Sequence, residues 1–285
     1  MLLGFYSGVS GLVYNEQKQG ITSSNLSNLD TAGFRRSLVL MRSRDENPYT
    51  KRVHSDVRGR VPSFHGVRRT GVYKIYKDTG SLKSTQDPFD IAIPPELKNA
   101  FFSVQRADPN DANTYYTRNG TLSIGLADPS NEESAPVLYL GGHIALDEEG
   151  RSIEIDPTGG ELQVSPGGVV RQGESVVGEL PVYRLDKSPD PSIRQSANLQ
   201  QLLQMGDSLY KVPEGLEREF NPFRLEAGQN GLQKLMAQGM REESNVSPVE
   251  ELLHMMEASK GFAANATSIT TQAQGLTKLF KIIQG

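Results

Sequence analysis

Cysteine and tryptophan are both absent from this 285-residue sequence. Without cysteine there is no disulfide framework, no thiolate zinc site and no cysteine nucleophile. The compartment stays open, because such a chain suits cytoplasm, periplasm and exterior alike. Long hydrophobic runs are missing too, and nothing approaches the ~20 apolar residues of a membrane-spanning helix. The opening MLLGFYSGVSGLVYNEQKQG has no basic region ahead of its apolar residues and no continuous apolar core, so no cleaved secretory signal is expected. Neither sign of charge dominates: 34 Asp+Glu face 30 Lys+Arg, which implies no global attraction to nucleic acid or membrane. His54, His65, His143 and His254 never fall at HxxxH or HExxH spacing, so no zinc motif is present. Gly141-Gly142 lacks the lysine and the strand-to-helix setting of a phosphate cradle, and reads as a hairpin turn. Asp147-Glu148-Glu149 lacks the alternating ligands of a calcium loop. We therefore expect no catalytic residue, no metal and no cofactor.

What is present is concentrated at the two ends. Apolar residues recur at Leu2, Phe5, Val9 and Leu12 and resume at Leu26 and Leu29, which predicts an amphipathic helix with a polar centre around residues 15–20. Gly33 reads as the glycine that ends this helix in a left-handed conformation. Near the other end, Ser247-Pro248-Val249-Glu250 is a capping box with proline at the first helical position. Beyond it Leu252, Met255, Ser259, Phe262, Ala266, Ile269, Ala273, Leu276, Phe280 and Ile283 keep a 3-4 alternation, a narrow seam suited to another helix. Such a helix would run roughly 55 Å. The stripe Ala263–Ser268 is small, which favours helix–helix association of the two ends over packing on a sheet.

Between the ends, short β-branched and aromatic runs alternate with glycine turns, among them Phe89–Ile93, Phe101–Gln105, Tyr115–Arg118, Val137–Leu140 and Leu180–Leu185. These predict antiparallel hairpins in a barrel- or sandwich-like body. Residues 35–69 carry ten Lys/Arg, including Arg35 and Arg36, against three acidic residues, so an extended basic connector is expected there. Its aromatics are too sparse for base stacking, and no nucleic-acid partner is expected. The chain thus divides into an N-terminal helix (1–34), a basic extended connector (35–74), a central β domain (75–225), and a connector with the C-terminal helix (226–285). The fold class is α+β, with the terminal helices pairing as a coiled-coil-like assembly domain.

These motifs, in this order, resemble the bacterial flagellar axial proteins, specifically the basal-body rod group related to hook proteins. SSNLSNLDTAGFRR (23–36) is similar to the family's N-terminal signature at Asn25, Leu26, Asn28, Thr31, Gly33 and Phe34. TGSLKSTQDPFDIAI (79–93), FFSVQ (101–105) and YYTRNGTLSI (115–124) resemble its central pattern. Residues 242–276 resemble its C-terminal signature at Glu243, Ser244, Asn245, Val246, Glu250 and Ala263-Ala264-Asn265. Lys98, Asn99 and Ala100 depart from it, standing where rod proteins usually carry glycines before the double phenylalanine, and 127–135 and the acidic stretch after Val212 look like extra length.

The resemblance implies a non-enzymatic subunit that assembles into a helical tube and transmits torque from motor to hook. The implied partners are copies of itself, other rod and hook proteins and the flagellar type III export apparatus, with peptidoglycan and bushing-ring proteins open as neighbours. Its place would be the rod across the periplasm. The implied assembly surface comprises Leu2, Phe5, Val9, Leu12, Asn25, Leu26, Asn28, Leu29, Gly33 and Phe34, with Leu252, Met255, Phe262, Ala266, Ile269, Ala273, Leu276, Phe280 and Ile283. Ser247 and Glu250 would cap the second helix. Proximal-rod type is the preferred subtype, and distal-rod or hook type the alternative. From another class, a secreted β-domain enzyme or glycan-binding module would need a groove of carboxylates or aromatics within 75–215. No such set is recognisable.

Overall fold

The computed structural model describes residues 2–43, 67–76, 78–108, 111, 113–129, 131, 134–185, 199–206, 208–216, 220, 222–228 and 234–284. They fall into two compact units, one formed by Met1–Ser27, Ser37–Lys74 and Ser247–Gly285, the other by Asn28–Arg36 and Ile75–Val246.

The first unit holds two helices, α1 (Leu2–Ser27) and α2 (Pro248–Gln284). α1 runs unbroken through its polar centre, where the Asn15 amide donates to the Gly11 carbonyl at 2.9 Å. α2 starts at the proline of the expected capping box, and the Glu251 N–H closes the first turn on the Ser247 carbonyl at 3.0 Å. The unit also holds β1 (Ser37–Ser43) and β2 (Val67–Lys74), an antiparallel ribbon running from Ser37 opposite Lys74 to Ser43 opposite Val67. The register shifts between Leu40 and Met41, where Gly71 stands opposite Leu40. Both flanks of the expected extended connector are therefore paired strands; the middle of that segment, 44–66, lies outside the described residues.

Gly33 does not end the first helix. α1 stops at Ser27, and Asn28–Phe34 follow as turns closed by Thr31 N–H on Asn28 O (3.4 Å) and Phe34 N–H on Thr31 O (3.2 Å). The glycine is required further on for closeness: at φ +66° a Cβ there would lie 2.7 Å from the Arg118 carbonyl carbon. Left-handed backbone and lack of room both exclude a side chain.

The second unit is β-rich and antiparallel. Its strands are β3 (Leu82–Ser84), β4 (Ile91–Ala92), β5 (Ala100–Gln105), β6 (Tyr115–Thr117), β7 (Leu122–Leu126), β8 (Pro136–Leu140), β9 (His143–Ala145), β10 (Leu162–Val164), β11 (Val169–Gln172), β12 (Ser175–Glu179), β13 (Val182–Arg184), β14 (Leu203–Gln204), β15 (Tyr210–Lys211), β16 (Phe223–Leu225), β17 (Ala237–Gln238) and β18 (Met240–Glu242). Nine of them make one sheet in the order β14-β15-β6-β5-β9-β8-β7, with β13 joining β5 to β16. The sheet is open, with β14 and β7 at its ends, so the expected barrel does not close. β10–β12 form a separate three-stranded sheet, and β17 and β18 pair with β4 and β3. Gly141-Gly142, both at positive φ, make the tight turn between β8 and β9 as expected.

The double phenylalanine explains where the core sits. Successive strand residues point to opposite faces, so Phe102 enters a cluster with Ile91, Ile93, Val104, Leu138, Leu140 and Val182. Phe101 enters a second cluster with Tyr76, Tyr116, Leu185, Tyr210 and Phe220. Both rings are fully buried. β5 is thus covered on both faces, which is why its sequence reads as a continuous apolar run.

Candidate functional site

Within the β unit, three charged side chains meet in the interior. Arg35 follows the Gly33-Phe34 turn, Arg118 follows β6, and Glu242 ends β18; all three side chains are almost completely buried. Glu242 bridges the other two, with Oε1 2.8 Å from Arg35 Nη2 and Oε2 accepting from both Nε and Nη2 of Arg118 at 2.7 Å. Two guanidiniums against one carboxylate leave a surplus positive charge, and backbone carbonyls absorb it. Arg118 Nη1 donates to Leu97 O (2.8 Å) and Ala100 O (2.7 Å), and Arg35 Nη1 to Asp78 O (3.0 Å). Gly80 N–H donates to Oε1 of Glu242 at 3.3 Å. Burial pushes the Arg118 guanidinium down to about 10, against the opposing pull of Glu242, so it stays charged at neutral pH. The neighbouring Tyr210 hydroxyl is pushed above its ordinary value by burial. Charge-assisted bonds of this kind join residues from three distant parts of the sequence.

Asn245 completes the arrangement. Its Oδ1 accepts from Arg36 N–H at 2.6 Å, and its Nδ2 donates to Ile75 O (3.2 Å) and Asp78 O (2.8 Å). Its backbone N–H donates to Phe34 O (3.3 Å), while Gly33 N–H donates to Glu242 O (3.0 Å). The two signature stretches that the sequence placed about 210 residues apart are laced together strand-fashion. Phe34 is buried, and Asn28 holds its turn by accepting from the Thr31 hydroxyl at 3.1 Å.

In the helical unit, Asn25 plays a comparable part. It is buried, its Oδ1 accepts from Ser37 N–H (3.0 Å), and its Nδ2 donates to Ser37 O (2.8 Å) and Glu251 Oε2 (3.1 Å). An asparagine is the right length to mimic a peptide group toward one strand residue while tying α1 to α2.

The helices pack antiparallel through glycines and amides more than through the expected apolar series. A Cβ on Gly4 would meet the Gln272 amide at 3.0 Å, one on Gly8 the Ile269 side chain at 2.8 Å, and one on Gly11 the Asn265 amide at 2.5 Å. Gly261 in turn faces the Asn15 amide. Lys18 Nζ reaches Glu257 Oε2 at 2.9 Å. Of the expected seam, Met255, Ala266, Ile269 and Leu276 are half-buried, while Leu252, Phe262, Ala273, Phe280 and Ile283 are exposed. On α1, Leu12 and Leu26 are half-buried, and Phe5 and Val9 exposed; Leu2 lies on the helix, and Leu29, half-buried, lies in the turns beyond it. Tyr6 and Val13 add to that outward apolar face, as do Val249, Leu253 and Met256 on α2.

Sequence reading did not single out Arg118, Glu242 or the glycines of α1. A signal for each exists: Arg118 and Glu242 are charges at the ends of strands, and Gly4, Gly8 and Gly11 repeat at helical spacing. Among the described residues no group of three or more side chains could hold a metal ion, and no helix is long and apolar enough to cross a membrane.

The same two ends carry the likeness to known proteins. Residues 5–35 match the family described as Flagella basal body rod protein, and residues 237–282 the one described as Flagellar basal body rod FlgEFG protein C-terminal. Along its whole length the chain is similar to the flagellar basal-body rod protein FlgG of Buchnera aphidicola from Schizaphis graminum, at 28% identity over 99% of this chain and 100% of the relative. It is similar to the rod protein FlgF of Mesorhizobium japonicum at 26% (98% and 96% covered), and to the hook-basal body complex protein FlhO of Bacillus subtilis at 26% (98% and 97%).

Proposed function

We propose, for a chain that belongs to the flagellar basal-body rod protein family, that it self-assembles through its helical unit into the tube that carries torque from motor to hook. As a member it is a structural, non-enzymatic subunit of the flagellar basal body, serves motility and associates with other basal-body components. The observation that carries the self-assembly reading is the polarity of the helical unit. Its paired faces are rich in glycine and amide groups, while many large apolar side chains, such as Phe5, Val9, Leu252, Phe280 and Ile283, are exposed. An apolar surface of that kind marks an interaction site. Contacts that repeat head to tail without closing build a filament.

The finer points of the proposal follow from this reading. The chain leaves the cell through the flagellar type III exporter and takes its place in the rod across the periplasm, beside other rod and hook subunits. Between rod types we choose the proximal one, on the departures at Lys98-Asn99-Ala100 and in the middle of the chain. The relatives carry both FlgG and FlgF names.

Deleting residues 248–285 tests the proposal. Incorporation into the basal body and motility are expected to be lost, while the purified β unit keeps a cooperative unfolding transition. Normal rods built from the truncated chain would refute it. A matching N-terminal deletion has to stop at residue 27, because Asn28–Arg36 belong to the β unit.

A further inference from the structure

One short stretch of the β unit reaches into most of its parts. Leu235 N–H donates to Pro166 O at 2.9 Å, and Leu235 and Met236 join the larger apolar cluster, almost wholly buried. The Gln238 amide bonds β10 as a strand would, accepting from Val164 N–H (3.1 Å) and donating to Leu162 O (3.2 Å). β17 and β18 are the partners of β4 and β3, which pair with no other strand among the described residues. Glu242, at the end of β18, is the carboxylate that Arg35 and Arg118 share. Glu243 N–H then donates to Ser81 O at 2.9 Å, and Asn245 holds Arg36. These residues are also the last of the unit to be made, because Val246 ends it.

We propose that this stretch is the lock of the β unit, with Glu242 as its decisive group: the preceding strands form no stable body until that carboxylate arrives. A chain is made from its N-terminus and its domains fold as units, so this one stays open until nearly its whole length exists. Two effects compete while the chain grows. Apolar burial favours early closure, since most of the larger cluster lies between Ile91 and Val182. Closing over Arg35 and Arg118, however, would bury two guanidiniums that cannot give up their charge. Stranding a buried charge removes a large part of the narrow margin by which a domain is stable. β3 and β4 would also lack partners, and unpaired backbone groups add to the cost. The charges therefore win until Glu242 is present. The proposal concerns how the body closes and does not depend on the self-assembly reading.

Folding during synthesis tests it. The chain is translated with a force-sensitive arrest peptide placed at successive positions after residue 185, so that release from arrest reports the pull of folding. Corrected for the length held in the ribosome, release is expected to stay at baseline until residue 246 is exposed, and then to peak. Glu242→Gln should abolish the peak. Arg35→Met and Arg118→Met combined with Glu242→Leu remove the charges at similar bulk, and should move the peak to shorter chains. A native peak before Glu242 is exposed would overturn the proposal, as would a peak unchanged by Glu242→Gln. A triple variant that pulls only at the native length, or not at all, would overturn the charges as the lock.

Discussion

The two units of this chain are built in opposite senses. In the β unit, apolar side chains such as Ile91, Phe101, Phe102 and Leu138 are inside, and the interior guanidiniums are met by one carboxylate and by backbone carbonyls. In the helical unit, glycines and amides share the interior with Ala258, Thr22 and half-buried Ile269, and Phe280, Ile282 and Ile283 are outside. The first arrangement draws its stability from burying apolar surface within one molecule. The second leaves much of that surface exposed, the kind of surface that marks an interaction site. A single chain thus combines a body that buries its apolar residues with a helical unit that exposes many of its own.

The comparison can be broken most strongly at the ion cluster. Glu242→Ala strands two buried guanidiniums, and losing one partner of a buried pair costs about 3–5 kcal/mol. Urea unfolding of the β unit should show a lower midpoint with an unchanged slope. A loss below ~1 kcal/mol would mean the cluster is no more than a surface pair. Within the helical unit, Gly11→Val forces a side chain into the Asn265 amide, an overpacking of about 1–3 kcal/mol. Faster amide exchange throughout α1, with the β-unit transition unmoved, is the expected outcome; a coupled loss would show that the units unfold together. The smallest effect is at Glu257, whose carboxyl is held below its ordinary value first by the hydrogen bond from Lys18 and then by His254. A depressed carboxylate contributes stability above its ordinary value and loses it as pH falls through the lowered one. Acidification through the carboxylate range should therefore loosen exchange protection near Lys18, and Glu257→Gln should flatten that response.

Much of this was legible in the residues. The start of α2 at Pro248 was legible to the residue, because a proline at the first helical position is a local signal. The Gly141-Gly142 turn and the run 101–105 located a hairpin and the central strand for the same reason. Less legible was Gly33, which sits where a helix stop is expected but serves a close approach to Arg118. Arg35 and Arg36 read as the start of a solvated basic segment, yet Arg35 is wholly buried. Its carboxylate partner Glu242 is 207 positions away, and no local pattern announces a contact that distant.

What the sequence determined by itself is the local grammar: two long helices, short strands between glycine turns, a chain without cysteine, and the signatures at both ends. Periodicity and capping act within a few residues, so they survive being read in one dimension. Only the tertiary structure decided which faces those helices turn toward each other, that the sheet stays open, and that Arg35, Arg118 and Glu242 share one interior. Those outcomes depend on room and on pairing between distant residues. A glycine that admits a neighbour and a carboxylate that satisfies two arginines acquire their meaning when the chain closes around them.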